Sequence, residues 1–85
     1  MISRASSDFW AAYDRLPAAV QRHARKQYQR FRQDPHHPSL HFKELSTGLV
    51  SVRVTLSYRA LGYREGETIL WFWIGTHAEY DRLIS

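Results

Sequence analysis

The sequence contains no cysteine, which excludes disulfides, zinc–thiolate sites and iron–sulfur clusters as sources of stability. No apolar run approaches the ~18 residues that a membrane span requires. Residues 1–7 lack the apolar stretch of a signal peptide. These absences favour a cytoplasmic protein with no membrane partner. An apolar core must then hold the chain together, and the composition, 44% hydrophobic and 14% aromatic, supplies one.

Acidic residues are also scarce, since 8 Asp and Glu face 12 Lys and Arg, for a net charge of +4. Ten of the 12 basic residues are arginines. The planar guanidinium matches the oxygens of a phosphate, so an arginine-rich domain of this size indicates a polyanionic partner. Charge alone leaves a merely solvated basic surface as the alternative.

The first part of the chain has helical periodicity. Phe9, Tyr13 and Leu16 share one face of a short helix, for which Ser7 is the expected N-cap. A second helix is predicted from Pro17 to about Gln33, because proline is tolerated in the first turn. Its apolar positions recur at helical spacing, at Val20, Ala24, Tyr28 and Phe31.

After Pro38 the period changes to two. Val50, Val52 and Val54 alternate with polar residues, which predicts a half-buried strand after a short extended segment near 40–45. Further strands are predicted at 58–63 and 68–75, with Trp71 and Trp73 on one face and Phe72 on the other. The segment 77–84 is expected to form a short helix or turn. The fold class is therefore α+β, with two N-terminal helices packed on a small antiparallel sheet.

Three segments are specific enough to carry a resemblance: Val52-Arg53-Val54, Tyr58-Arg59-Ala60-Leu61 and Gly75-Thr76-His77-Ala78-Glu79-Tyr80. In their order and spacing the chain resembles the toxins of the RelE/ParE superfamily, particularly the HigB-like and RelE-like ribonuclease branches. The resemblance runs from about Phe9 to Ile84 and implies a single toxin domain over residues 1–85. It also implies a cognate antitoxin as partner and a concave sheet face that holds RNA.

The activity implied by the resemblance is endoribonucleolytic cleavage of messenger RNA on the ribosome, which inhibits translation. The 2′-hydroxyl attacks the adjacent phosphorus, and the products are a cyclic phosphate and a 5′-hydroxyl. This chemistry needs proton transfer and positive charge around the phosphorane, but no metal or cofactor. The histidines His36, His37 and His41 lack the spacing of a helical metal site, so no metal ion is expected.

The resemblance assigns roles to four residues of the reaction. Arg53 and Arg59 are expected at the phosphate, His77 in acid–base catalysis, and Tyr80 as a proton donor or stacking ring. Each has a structural alternative. The arginines could be solvated or could structure the sheet, His77 could cap the terminal turn through Glu79 or Asp81, and Tyr80 could close the core. The further RNA-binding candidates are His41, Lys43 and Arg82.

Two other functions remain open. A ParE-type poison binds DNA gyrase and cleaves nothing, but it has no need of an imidazole at His77. An inactive relative would keep the fold and act as a binding module. Ala78 supports that alternative, because many relatives carry a basic residue near this place.

Overall fold

The computed structural model describes residues 1–85, in which a single five-stranded sheet carries the helices. The elements are β1 (Ile2–Ala5), α1 (Ser7–Asp14), α2 (Ala18–Gln33), a 3₁₀ turn (Pro38–Leu40), β2 (Lys43–Ser46), β3 (Leu49–Thr55), β4 (Tyr58–Glu65), β5 (Thr68–Thr76) and α3 (His77–Ile84). The strand order is β1-β5-β4-β3-β2. The predicted α+β class is confirmed, with α3 as the short C-terminal helix. None of the helices combines the length and apolarity that a membrane crossing demands.

The sheet is mixed rather than wholly antiparallel. Strands β2 to β5 form the predicted antiparallel part, but β1 pairs with the first half of β5 in parallel. The sequence did not predict β1. None of its four residues is fully buried, so their sequence lacks the apolar alternation that marks a strand. Their partners also lie more than 60 residues away in the chain, at Thr68–Trp71.

The two N-terminal helices start close to where the sequence places them. Ser6, rather than Ser7, is the N-cap of α1, and its Oγ accepts a hydrogen bond from the N–H of Phe9 at 3.2 Å. Pro17 precedes the first residue of α2. Along α2, Ala24 and Phe31 are buried as predicted, but Gln27 is buried in place of Tyr28, which is 42% exposed. The face of α2 that packs on the sheet therefore runs through Ala24, Gln27 and Phe31 and not through Tyr28.

One side of the sheet, which we call the helix face, is covered by α1 and α2 and forms the core. Its buried side chains include Val50, Val52, Val54, Ala60, Ile69, Trp71 and Ile74. The predicted inward orientation of the three valines is confirmed. Gly62 also lies on this side, where a Cβ atom would stand 2.8 Å from Cε3 of Trp71 and 2.9 Å from Cγ2 of Ile69. The absence of a side chain at Gly62 lets the tryptophan pack against β4.

A β-bulge in β5 reverses the predicted orientation of Trp73. Gly62 pairs with Trp71 and Leu61 pairs with Trp73, so Phe72 is an extra residue in the ladder. Trp71 is buried on the helix face, whereas Trp73 pairs with Leu61 on the other side. The prediction that the two tryptophans share a face is therefore wrong, because one inserted residue shifts the alternation that period-two reasoning assumes.

Candidate functional site

The surface of the sheet opposite the helix face, which we call the open face, is defined by Ser51, Arg53, Arg59, Leu61 and Tyr63. Arg53 on β3 stands directly opposite Arg59 on β4 in the strand register. Both alternate with core residues, so both side chains point to the open face. Like charges directly opposite each other destabilise a sheet. This pairing concentrates positive charge at one point and has to be offset elsewhere in the fold.

Arg59 is a buried cation without an anionic partner. Arg59 is only 4% exposed, and its Nη2 donates a hydrogen bond to Oγ of Ser51 at 3.2 Å. The guanidinium carbon lies 4.8 Å from the centre of the Tyr80 ring, while Nε is buried with no hydrogen-bond partner. The one ion pair in the structure joins His77 and Asp81 and does not involve Arg59. A buried charge that no carboxylate neutralises is costly and points to a ligand that brings the negative charge.

Tyr80 fastens α3 to the open face. Its hydroxyl donates to Oγ of Ser51 at 3.2 Å, and the residue is buried. The helix starts at a capping box, in which Oγ1 of Thr76 accepts from the N–H of Glu79 and a Glu79 carboxylate oxygen accepts from the N–H of Thr76. This burial agrees with the structural role considered for Tyr80 from the sequence, in which its ring closes the core beneath α3. Its hydroxyl is engaged by Ser51 and is not free for a substrate.

His41 extends the row of basic residues to the edge of the sheet. His41 lies two residues before Lys43, which pairs with Ser51 on β3, and the charges that act on His41 are those of Arg53, Arg59 and Lys43. Desolvation and the positive charges of Arg53, Arg59 and Lys43 lower the pKa of His41 below its ordinary 6.5. The lowered pKa favours the neutral imidazole, the form that can accept a proton.

Gln27 holds the segment before His41 in place and was not singled out by the sequence. Its side-chain amide donates to the carbonyl of Ser39 at 3.2 Å and to the carbonyl of Arg53 at 3.0 Å. The same residue thereby ties α2 to both the 3₁₀ turn and β3. A glutamine on the apolar stripe of a helix, three residues after Ala24 and four before Phe31, is the signal that would have found it.

His77 lies at the other end of the same row. It is the first residue of α3, and its backbone N–H donates to the carbonyl of Ser57 at 2.7 Å. Its Nδ1 is 3.1 Å from a carboxylate oxygen of Asp81, and its ring meets the Tyr80 ring edge-on at 5.5 Å. Because a carboxylate can only accept, Nδ1 is the donor, which leaves Nε2 available. Tyr80 in turn contacts Arg59, so His77 and the arginine pair share one end of the open face.

The family of the chain follows from a comparison with known sequences. A family model for the ParE-like toxin domain matches residues 18–82, which is most of the chain. The chain belongs to the ParE-like toxin domain family. No curated protein matches it in sequence.

Solved structures share the fold of this ParE-like toxin domain at low sequence identity. The YoeB/ParE toxin from Agrobacterium tumefaciens is 16% identical, with a TM-score of 0.69 over 91% of this chain and 99% of that one. The RelB-RelE antitoxin-toxin complex from Methanococcus jannaschii matches with a TM-score of 0.77 at 10% sequence identity, over 96% of this chain and 99% of that one. The toxin-antitoxin complex RelBE2 from Mycobacterium tuberculosis matches with a TM-score of 0.71 at 17% sequence identity, over 89% of this chain and 96% of that one. The resemblance to the RelE/ParE superfamily is confirmed.

Not every predicted RNA-binding residue of this ParE-like domain joins the row. Lys43 is exposed on β2, close enough to influence His41. Arg82 is two residues from Tyr80 on α3, about 200° around the helix, and so points away from Arg59. It lies near Glu79, whose pKa is lowered chiefly by the hydrogen bonds from Thr76, with smaller effects of Arg82 and Arg15. No three His, Cys, Asp or Glu side chains are grouped to hold a metal ion.

Proposed function

We propose that this chain is the toxin of a toxin–antitoxin system and acts as a metal-independent endoribonuclease on messenger RNA at the ribosome. The observation that carries the proposal is that Arg53 and Arg59 stand opposite each other with no carboxylate to neutralise them. The charges of both arginines act on His41, and His77 approaches Arg59 through the Tyr80 ring. Two imidazoles flanking two guanidiniums are the groups that phosphodiester cleavage by an internal hydroxyl requires.

The arginine pair supplies the positive charge. Arg53 is partly exposed and can reach a phosphate directly, whereas Arg59 lies beneath Tyr80 and acts through its field. A charge in a poorly solvated site acts more strongly on its neighbours than one in water. The pair therefore favours the phosphorane, which carries more negative charge than the bound RNA, without having to rearrange during the reaction.

The imidazoles supply the proton transfers. His41, kept neutral by desolvation and its cationic neighbours, takes the proton of the 2′-hydroxyl as the 2′-oxygen bonds to phosphorus. The bond from phosphorus to the 5′-oxygen then breaks, and His77 in its protonated form returns a proton to that oxygen from Nε2. Asp81 holds the ring of His77 in the orientation that this transfer needs. The products are a 2′,3′-cyclic phosphate and a 5′-hydroxyl.

The antitoxin is the expected protein partner. Two of the similar structures are complexes of a toxin with its antitoxin. The arginine-rich surface of this chain, with a net charge of +4, favours an acidic partner segment. A gyrase-directed poison is the second candidate function, since the matching family model is that of ParE-like toxins.

The test is an RNA cleavage assay in the presence of EDTA, with and without translating ribosomes, scored by the chemistry of the new ends. We expect cyclic phosphate and 5′-hydroxyl ends from the wild-type chain. Replacing a proton-transfer residue, as in His77→Ala or His41→Ala, should slow cleavage by roughly 10²- to 10⁴-fold. His23→Ala, an exposed histidine on α2, is the matched control and should cleave normally.

The same variants separate the candidate functions in cells. Growth arrest that survives His77→Ala, with RNA intact and gyrase inhibited, would favour the poison. An absence of both toxicity and cleavage in the wild-type chain, with antitoxin binding retained, would identify an inactive binding module.

A further inference from the structure

The open face continues past the arginine pair into an apolar groove. Along β4, Arg59, Leu61 and Tyr63 point to the same side, so the groove begins about 7 Å from Arg59. Its volume is about 570 Å³, and its apolar lining includes Leu61, Tyr63, Phe72, Trp73, Leu83 and Ile84. Residues of α1 complete the wall, among them the charged Asp8 and Arg15. None of the residues assigned to the reaction lies in this groove, and the proposed cleavage makes no use of it.

Two aromatic rings in the groove are stacked with a parallel orientation. The rings of Tyr63 and Phe72 lie 4.7 Å apart at an interplanar angle of 19°. Tyr63 is 55% exposed. Phe72 follows the buried Trp71 and therefore points to the open face, and the bulge in β5 brings Trp73 to the same face. Parallel rings with an exposed surface are suited to add one more planar ring to the stack.

We propose that this groove binds a nucleobase of the RNA strand whose phosphate lies at the arginine pair; the proposal rests on the proposed ribonuclease function. A single strand presents unstacked bases beside its phosphates, and proteins recognise it by stacking those bases on aromatic side chains. Here the cationic row and the stacked rings are neighbours on one sheet face. That continuity favours RNA over an apolar protein segment as the occupant.

The groove also gives the site a means of sequence preference. Tyr63 is four residues from Arg59 on the same strand, about 13 Å away, so the base it receives flanks the cleaved phosphate at a fixed distance. Stacking is tolerant of base identity, but larger rings cover more of an aromatic surface. A purine at the matching position should therefore bind more tightly than a pyrimidine.

The test uses short 2′-O-methyl RNA strands, which cannot undergo 2′-hydroxyl attack, with each base removed in turn. For the wild-type chain, loss of one particular base should weaken binding roughly 5- to 100-fold, the range of a single stacked base. Phe72→Leu and Tyr63→Leu should weaken binding of the intact strand to a similar extent and be insensitive to loss of that base. Tyr28→Leu, at an exposed tyrosine of α2, is the matched control and should bind like the wild type.

The outcomes distinguish this proposal from the function on which it rests. Salt-dependent binding of the intact strand with equal sensitivity to every base removal, in wild type and variants alike, would overturn the groove and leave the ribonuclease proposal standing. An absence of RNA binding by the wild-type chain, together with an absence of new RNA ends in the cleavage assay, would overturn both. If the groove variants weaken only antitoxin binding, the groove is a protein interface and the nucleobase proposal is wrong.

Discussion

The two faces of the sheet are built by the same strands and differ in almost every property. On the helix face, Val52, Ile69 and Trp71 are buried with apolar neighbours. On the open face, the same stretch of β3 and β4 places Arg53 opposite Arg59 and leaves Tyr63 largely exposed. One face contributes stability through burial, while the other carries like charges side by side and an apolar surface in contact with solvent. Alternate positions of the same strands therefore separate the core from the arginine pair of the candidate site.

The largest expected contrast is between two adjacent residues of β5, Ile69 and Leu70. Ile69 is 0% exposed on the helix face, and Leu70 is 41% exposed. Ile69→Ala should lower the free energy of unfolding by about 2–5 kcal/mol, through lost burial and a cavity. Leu70→Ala should cost less than about 1 kcal/mol, since 41% of its surface is already solvated. Urea denaturation of both variants measures the difference, and equal losses would contradict the division of the sheet.

A smaller effect of opposite sign is expected on the open face. Arg59→Met keeps an unbranched side chain in the site but removes a buried charge that has no carboxylate partner. We expect the free energy of unfolding to stay unchanged or to rise by about 1–4 kcal/mol, while RNA cleavage is lost. Thermal unfolding and the cleavage assay together test this. A clear loss of stability would make Arg59 a structural residue held by Tyr80 and Ser51 rather than a site for anions.

The smallest expected effect is a shift in the pH dependence of kcat/KM. Desolvation and the nearby charges of Arg53, Arg59 and Lys43 lower the pKa of His41, so its proton-accepting form persists below pH 6.5. Arg53→Gln removes one positive charge and should raise that pKa, which moves the acid limb of kcat/KM to higher pH. Titration of the His41 ring by NMR gives the same shift without catalysis. Arg32→Gln on α2 is the control, and a shift of equal size there would refute the coupling.

The sequence predicted the helix face better than the open face, for a physical reason. Alternation of Val50, Val52 and Val54 reports burial directly, and burial is what forms the core. The bulge at Phe72 depends instead on packing across strands, where Gly62 lets Trp71 approach. No local pattern in the sequence encodes that inserted residue, so the orientation of Trp73 was predicted wrongly.

The residues of the candidate site divide in the same way. Arg53 and Arg59 follow from strand alternation together with the resemblance, and the structure places them opposite each other. The position of His41 near Arg53 depends on its own left-handed backbone, with a φ of 46°. It also depends on the hydrogen bonds by which Gln27 holds Ser39 and Arg53. Such contacts join α2, a turn and β3, and they are invisible to reasoning that takes one element at a time.

The parallel pairing of β1 with β5 has a consequence for how the toxic fold arises during translation. Ile2–Ala5 are synthesised more than 60 residues before their partners, Thr68–Trp71. Contacts between distant parts of a chain form late, after the closure of a long loop. A nascent chain therefore adds β1 to the sheet only after β5 has been synthesised, and a truncated product that stops before β5 has neither the full sheet nor His77.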